Sequence, residues 1–180
     1  MKLHITLDYE LFLDDRVGTV DNSLITPIHA FHNLCKNLGV RATIFVDAAY
    51  LYKLDELRHR WAPLQADYEK VVANIQWLES QGHDIELHIH PQWYYSTYDE
   101  AGWHLDWEHY KLSSAPYEES ERYFAKSKQI LDELIGRKTQ IFRAGGYSIQ
   151  QFDYVSCFQK HSILADSSVL TKRKNLSATH

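Results

Sequence analysis

The stretch IELHIHP, residues 85–91, combines a short apolar strand pattern with two histidines near its end. Side chains two positions apart on a strand lie on the same side of it, with Cα atoms about 7 Å apart. The imidazoles of His88 and His90 can therefore bind one metal ion, since each metal–nitrogen bond is about 2 Å long. Because parallel α/β sheets carry their sites at the carboxyl ends of the strands, this stretch predicts a strand and a metal site together.

A second stretch, TLDYE at residues 6–10, repeats this spacing with two carboxylates. Asp8 and Glu10 end a predicted first strand, so we expect them at the same edge of a parallel sheet as the two histidines. The alternatives are a capping or salt-bridging pair of carboxylates, and histidines that are hydrogen-bonded within a strand. The joint position of all four side chains at predicted strand ends favours a divalent metal centre.

The remainder of the chain alternates short apolar stretches with amphipathic ones, a pattern typical of βαβ units and a parallel sheet. The predicted strands are residues 3–8, 42–46, 85–90, 139–143 and 163–165. The predicted helices run from Thr26 to Gly39, from about Asp67 to near Gly82, from Tyr117 to Ile135 and from Gln150 to His161. Thr26 is the expected N-cap of the first helix, and Gly39 and Gly136 are the expected left-handed residues that end the first and third helices.

No repeat or flexible linker divides the chain, so residues 1–170 are expected to form one domain, followed by a polar tail at residues 171–180. The stretch 91–116 is rich in tryptophan and tyrosine and shows no helix or strand pattern. A loop of this length in a compact domain is usually functional, which makes residues 91–116 a candidate part of the site.

Composition and charge narrow the functional classes. The formal net charge of −5 provides no basic surface for nucleic acid. No apolar run reaches the roughly 20 residues that span a bilayer. The chain starts directly with a strand pattern and no signal-peptide leader, which predicts a cytoplasmic protein. Cys35 and Cys157 fall in predicted helices and are expected to be buried thiols in a reducing compartment, with a disulfide as the alternative.

Three motifs in this order resemble those of the polysaccharide deacetylases, the carbohydrate esterase group with a NodB-like homology domain. TLDYE (6–10) is similar to the acidic first motif, GHDIELHIHPQW (82–93) to the histidine motif, and FRAGGY (142–147) to the arginine-and-aromatic motif. The resemblance implies an α/β fold, a parallel-stranded distorted (β/α) barrel. The later motifs of the family have no counterpart after Val169, so we expect a C-terminally shortened member with an incomplete barrel.

The resemblance also implies roles for the acidic and histidine residues. Asp8 would be the catalytic base that takes a proton from the attacking water. Glu10 and His88 would bind a divalent metal, with zinc as the expected ion. The family commonly places its second histidine four positions after the first, where this chain has Gln92. His90 is the natural substitute, because it faces the same way as His88.

The third motif and the aromatic stretch supply the other implied site residues. Arg143, the second implied catalytic residue, would lie beside Asp8, where its positive charge favours the carboxylate form. Tyr147 would line the sugar-binding site, although this chain has Gly146 where the family usually has proline. Trp93 is a further candidate for sugar binding, because aromatic faces stack on pyranose rings.

The function implied by the resemblance is a divalent-metal-dependent hydrolase that removes an N-acetyl group from an amino-sugar-containing saccharide, in surface polysaccharide biosynthesis. Two other interpretations stay open. The absence of the family's late proton-donating histidine favours a truncated, inactive protein that binds metal or saccharide without turnover. Glu10, His88 and His90 also match the two-histidine, one-carboxylate set of non-haem iron enzymes.

Overall fold

The structure of the 180-residue chain is a computed structural model that describes residues 3–13, 17–147 and 154–168, without the side chains of Tyr147 and Tyr154. The predicted polar tail at residues 171–180 and the domain boundary at residue 170 lie outside the described residues. The first part of the fourth predicted helix, residues 150–153, also lies outside them.

A parallel sheet forms the centre of the fold, as the alternating sequence pattern predicts. The strands of the described residues are β1 (Thr6–Tyr9), β2 (Thr43–Asp47), β3 (Asp84–Ile89), β4 (Thr97–Asp99), β5 (Gly102–His104), β6 (Ile141–Ala144) and β7 (Ala165–Asp166). Five of these form the central sheet in the order β1-β2-β3-β6-β7, with every pairing parallel. Since β1 and β7 lie at opposite edges, the described strands form an open sheet, which is the predicted incomplete barrel.

Helices connect the strands. They are α1 (Thr26–Leu38), α2 (Ala48–Leu57), α3 (Ala62–Ser80), α4 (Gln92–Tyr95), α5 (Tyr117–Ile135) and α6 (Tyr154–His161). As predicted, α1 ends at Gly39 and α5 ends at Gly136, with left-handed φ angles of 65° and 73° that glycine adopts at little cost. No helix in the described residues combines the length and the apolar character needed to cross a bilayer.

The start of α1 differs from the prediction. A π-helical turn, Asp21–Ile25, precedes α1 and runs directly into it. Ile25 already has helical backbone angles, so Thr26 is not an N-cap. Pro27 still occupies the first turn of α1, but the wider turn before it provides the N-terminal end of the helical segment.

Two other helices also differ from the predictions. α3 begins at Ala62 rather than near Asp67, with Pro63 in its first turn, a common position for proline. α2 has no counterpart among the predictions. It starts immediately after β2, where a carboxylate oxygen of Asp47 accepts a hydrogen bond from the Tyr50 N–H at 3.5 Å.

The aromatic stretch after β3 is folded rather than irregular. It contains α4 and an antiparallel hairpin of β4 and β5, in which Tyr98 lies opposite Trp103. The rings of Trp93 and Trp103 pack edge to face with centroids 5.0 Å apart. Strands of three residues are too short to show an alternating pattern, so the sequence pattern did not predict this hairpin.

The centre of the sheet is fully buried. Ile44 of β2, Leu87 of β3 and Phe142 of β6 each have 0% of their surface exposed. Each such side chain contributes about 1.5–3 kcal/mol to folding through removal of apolar surface from water. This burial fixes three neighbouring strands and therefore the residues at their carboxyl ends, where the candidate site lies.

Candidate metal centre

Three predicted ligands converge at the carboxyl ends of β1 and β3. His88 lies in β3, whereas Glu10 and His90 directly follow β1 and β3. Glu10 Oε2 lies 3.0 Å from His88 Nε2 and also contacts His90 Nε2. One ligand atom from each residue lies within 4.8 Å of the other two. Three donor atoms at such separations can share one ion at bond lengths of about 2 Å, so the geometry is suitable for a metal centre.

A backbone carbonyl fixes the orientation of His88. The Nδ1 atom of His88 lies 2.8 Å from the carbonyl oxygen of Arg143. Because a carbonyl oxygen only accepts hydrogen bonds, Nδ1 donates its proton there, and Nε2 faces Glu10. In the neutral imidazole this Nε2 carries a lone pair, as a metal ligand must. Such a hydrogen bond behind the ligating nitrogen is typical of metal-binding histidines.

His90 tests whether the residues fit a metal ion. Its Nε2 is buried and contacts Glu10 Oε2, yet it has no well-formed hydrogen bond to any described residue. A buried ring nitrogen without a hydrogen bond is costly, and a cation placed between it and the carboxylate would remove that cost. Two imidazoles and one carboxylate are also a donor set that zinc prefers. The residues present therefore fit a divalent metal.

The electrostatics of the site favour a cation beside Glu10. Burial raises the pKa of Glu10, but the polar contacts and positive charge of His88 and His90 outweigh burial and hold this pKa well below its usual range. Burial lowers the pKa of His90, but its contact with Glu10 and the negative charge of Asp47 outweigh burial and raise this pKa. A divalent ion bound between these residues would supply positive charge beside the Glu10 carboxylate.

Asp47, at the end of β2, is a site residue that the sequence motifs do not indicate. One carboxylate oxygen accepts a hydrogen bond from the His90 N–H at 3.1 Å, and the other accepts one from Trp93 Nε1 at 2.8 Å. Asp47 is only 2% exposed, and burial raises its pKa above the ordinary value. Asp47 lies opposite His88 in the β2–β3 register, a pairing of distant residues that the sequence motifs do not contain.

The predicted role of Trp93 is wrong. Trp93 is completely buried and donates its indole hydrogen to Asp47, so its ring presents no face to a sugar. The physical reason is that α4 turns this side chain into the aromatic core formed with Tyr50 and Trp103. Trp93 supports the site indirectly, through the carboxylate that holds the backbone of His90.

The structure places Arg143 beside Asp8. Arg143 donates a hydrogen bond to Asp8 Oδ1 at 2.6 Å and others to Thr6 Oγ1 at 2.8 Å and Ser167 Oγ at 2.9 Å. Its guanidinium also lies 3.9 Å from the ring centroid of Phe45, a cation–π contact. Arg143 is therefore held from several sides, and Asp8 faces a fixed positive charge.

The turn after β6 closes one side of the site. A Cβ atom on Gly145 would lie 2.7 Å from His90 Nδ1 and 2.8 Å from the carbonyl oxygen of Ile89, which no side chain tolerates without displacement. Glycine at this position therefore permits the close approach of the turn to His90. The predicted sugar-binding role of Tyr147 concerns a side chain that lies outside the described part of the structure.

A cleft of about 650 Å³ opens over these residues. Asp8, Glu10, His88 and His90 line its floor with Gly145, and the exposed rings of Trp107 and Tyr110 line it as well. This volume is within the range of small-molecule sites. The arrangement brings together a candidate metal centre, a carboxylate held by arginine and aromatic surfaces suited to a sugar ring.

No family model matches the chain, and no curated protein matches it. Solved structures with the same fold include a CE4 family pseudoenzyme from Bacillus anthracis (TM-score 0.53, 10% identity, covering 91% of this chain and 41% of that one). A protein from Mycobacterium smegmatis, described as a polysaccharide deacetylase, has a TM-score of 0.53 at 14% identity, covering 93% and 50%. The Xyl-CE4 domain of a multidomain xylanase from the hindgut metagenome of Trinervitermes trinervoides has a TM-score of 0.53 at 9% identity, covering 90% and 55%.

These likenesses define the fold class. The chain has the α/β fold, with a mostly parallel sheet, of the CE4 polysaccharide deacetylase structures. At 9–14% identity the likeness shows the fold alone. The chain spans about half the length of these structures, between 41% and 55%.

Proposed function

We propose that this chain is a divalent-metal-dependent hydrolase that removes an N-acetyl group from an amino-sugar-containing saccharide. The observation that carries this proposal is the meeting of Glu10, His88 and His90 in an open cleft beside the Asp8–Arg143 pair. The fold shared with polysaccharide deacetylase structures supports the same reaction class, by analogy of fold.

In this proposal each side chain has a defined task. Glu10, His88 and His90 would hold the ion, most simply zinc, which when bound would polarise the amide carbonyl and acidify water. Asp8 takes the proton from the attacking water, since a carboxylate beside the reacting atoms is a competent general base. Arg143 holds Asp8 in place by donating a hydrogen bond to its carboxylate. Trp107 and Tyr110 offer aromatic faces on which a pyranose ring can stack.

We further propose a cytoplasmic location and a precursor of surface polysaccharide as the substrate. Cys35 and Cys157 are both buried, and no disulfide joins them, which supports a reducing compartment. This part of the proposal is tested separately from the chemistry, by locating the protein in fractionated cells and by assaying soluble saccharide precursors.

A second candidate function is binding of metal or saccharide without turnover. In the described part of the cleft lining, the histidines are His88 and His90, and both face Glu10. Neither is free to donate a proton to a leaving amine while it holds a metal. One of the solved structures with this fold is itself described as a pseudoenzyme, so the fold occurs in such proteins.

Acetate release distinguishes the two candidates. Purified protein loaded with zinc is incubated with N-acetylated oligosaccharides, and acetate is measured together with bound zinc. We expect Asp8→Asn to lower the rate by about 10²–10⁴-fold while zinc content is retained, because a general base contributes about that factor. Asp55→Asn, a surface carboxylate paired with Arg58, is the matched control and should leave the rate unchanged. Bound zinc without acetate release would select the second candidate.

A further inference from the structure

A second cavity, of about 1010 Å³, lies next to the metal cleft. Leu13 and Trp107 line both cavities, so the two form one continuous depression on this side of the molecule. The metal cleft accounts for only the smaller part of the available volume. A ligand longer than one sugar unit can therefore extend from the metal cleft into this second cavity, which the proposed reaction does not use.

The hydroxyl group of Tyr50 is the first sign that the second cavity holds a ligand. Tyr50 lines this cavity, is only 2% exposed, and its hydroxyl makes no hydrogen bond to any residue that the structure describes. Buried hydroxyl groups almost always have a partner, because an unpaired one carries an uncompensated loss of hydration. A polar ligand group in the cavity would provide the missing partner.

The second sign of a ligand is a carboxylate that forms no ion pair with any described residue. Asp67 and Asp21 both line the cavity. Asp21 is paired with Lys70 at 2.7 Å, whereas Asp67 forms no ion pair with any described residue. Burial raises the pKa of Asp67, and the charge of nearby Lys70 offsets that effect only in part. Among the described residues, Asp21 and Asp67 thus share one nearby cation, Lys70, and this group has a net negative charge.

The aromatic wall of the cavity suits a sugar, and its charge suits a cation. Tyr98 and Trp103 line it with their rings packed against each other, centroids 5.1 Å apart, and Trp107 lies at the junction with the metal cleft. Aromatic faces bind the apolar face of pyranose rings and attract cations through their electron-rich surfaces. Tyr50 and Asp67 line the same cavity, and burial and then the charge of Asp67 raise the pKa of Tyr50.

We propose that the second cavity binds a sugar unit that carries a free, protonated amino group. Asp67 accepts hydrogen bonds from the ammonium, the Tyr50 hydroxyl bonds to a neighbouring polar group of the sugar, and the ring packs on Tyr98 or Trp103. This inference rests on the proposed function: the metal cleft would hold an N-acetylated unit while the cavity holds an unacetylated unit of the same saccharide. The chain would then prefer saccharides that are already partly deacetylated.

Titration calorimetry with three trisaccharides tests this binding site directly. The probes are a β-1,4-linked glucosamine trimer, its fully N-acetylated counterpart and the corresponding glucose trimer. We expect the glucosamine trimer to bind about tenfold more tightly than the glucose trimer, because charge-assisted hydrogen bonds are the strong ones. Raising the salt concentration from about 50 to about 300 mM should weaken binding of the glucosamine trimer more than binding of the two uncharged trimers. Equal affinity for the glucosamine and glucose trimers would overturn the proposal.

Two conservative variants identify the groups that bind. Asp67→Asn should weaken binding of the glucosamine trimer about tenfold, whereas the matched control Asp55→Asn should leave this affinity unchanged. Tyr50→Phe should also weaken it, yet raise the melting temperature of the free protein by about 3 °C, because it removes an unpaired buried hydroxyl. Tyr52→Phe, on the same helix with its hydroxyl bonded to Lys126, should do neither. Normal binding in Asp67→Asn, or a lowered melting temperature in Tyr50→Phe, would contradict the inference.

A metal-ligand variant separates this inference from the proposed function. Glu10→Gln should bind no zinc and release no acetate. It should still bind the glucosamine trimer with unchanged affinity, since Glu10 does not line the second cavity. Preference for the amino sugar without acetate release in the unmodified chain would leave the second cavity standing and refute the hydrolase. Acetate release with no preference for the amino sugar would support the hydrolase and refute the proposed role of the second cavity.

Discussion

Gly145 determines how closely the turn after β6 approaches the candidate metal ligand His90. A methyl group at Gly145 would lie within 2.8 Å of two His90 ring atoms, so Gly145→Ala should displace that ring. We expect zinc affinity to fall by roughly 10–100-fold, the usual range when the support of a metal ligand is disturbed. Competition with a chromophoric chelator measures this affinity.

Gly146→Ala provides the matched control. Gly146 has a left-handed φ of 61° and open space around its missing Cβ, so alanine there strains the backbone without touching His90. It should lower the free energy of unfolding by about 1 kcal/mol and leave zinc affinity unchanged. If both variants bound zinc like the unmodified chain, the close approach to His90 would have no part in the site.

Asp47 links the aromatic core to the site, because its carboxylate binds both the Trp93 indole and the backbone of His90. Asparagine at this position keeps one acceptor oxygen, but its amide hydrogens would face either the His90 N–H or the Trp93 indole N–H. We expect Asp47→Asn to lower the free energy of unfolding by about 2 kcal/mol and zinc affinity about tenfold. Urea unfolding and zinc titration measure these two effects, with Asp55→Asn as the control. Full zinc affinity in Asp47→Asn would remove it from the site.

The contrast between Glu10 and Asp47 shows how much of the candidate site was predictable. His88 and His90 lie two positions apart at one strand end, and Glu10 lies two positions after Asp8 at another. This spacing places side chains on one side of a strand, so it can be recognised in the sequence alone. Asp47 and Tyr50 become neighbours of the site only through strand register and helix packing. Such contacts between distant residues depend on the whole fold, so no local pattern indicates them.

At the level of elements, a buried carboxylate of α5 binds the segment that leads into β6. Asp132 accepts hydrogen bonds from Lys128 Nζ at 2.8 Å and from the Thr139 N–H at 2.7 Å. Burial raises the pKa of Asp132, but these partners outweigh burial and lower it below its ordinary value of 3.8. The stabilisation by Asp132 is therefore fully present above pH 3.8 and is lost as pH falls through the lowered pKa.

Asp132→Asn should thus destabilise the protein in a pH-dependent way. At pH 7 we expect a loss of about 3 kcal/mol, because Lys128 would remain buried without its partner. The loss should shrink below pH 3.8, because the carboxyl of the unmodified chain becomes protonated first in the unfolded state and, at lower pH, in the folded state. Urea titrations at several pH values measure the difference, with Asp55→Asn as the control. A difference that stays constant from pH 7 to pH 3 would contradict the assigned pKa direction.

The elements also differ in how well the sequence predicts them. The bounds of α5 are predicted correctly, because Pro116 precedes it, Gly136 ends it and apolar residues recur at helical spacing between them. α2 escaped prediction because it begins directly after β2, with no loop residues between strand and helix. The β4–β5 hairpin is held by ring packing, which has no periodic signature.

For the whole molecule, the sheet order β1-β2-β3-β6-β7 determines where stability is concentrated. β2 and β3 are paired on both sides, and Ile44, Val46, Leu87 and Ile89 are at most 1% exposed. β7 is a two-residue edge strand, and both of its residues are exposed. Parallel pairing also couples residues far apart in sequence, so the central strands open only when the whole domain unfolds.

Hydrogen exchange of backbone amides tests this distribution. Amides of β2 and β3 should exchange only through global unfolding, with protection equal to the free energy of unfolding measured in urea. The bonded amides of Ala165 in β7 and of Ser167 directly after it should open locally and be less protected by at least about 2 kcal/mol. The measurement is repeated at two protein concentrations. Strong protection of β7 at both concentrations would contradict an open edge, whereas protection that increases with concentration would mean that a second copy covers it.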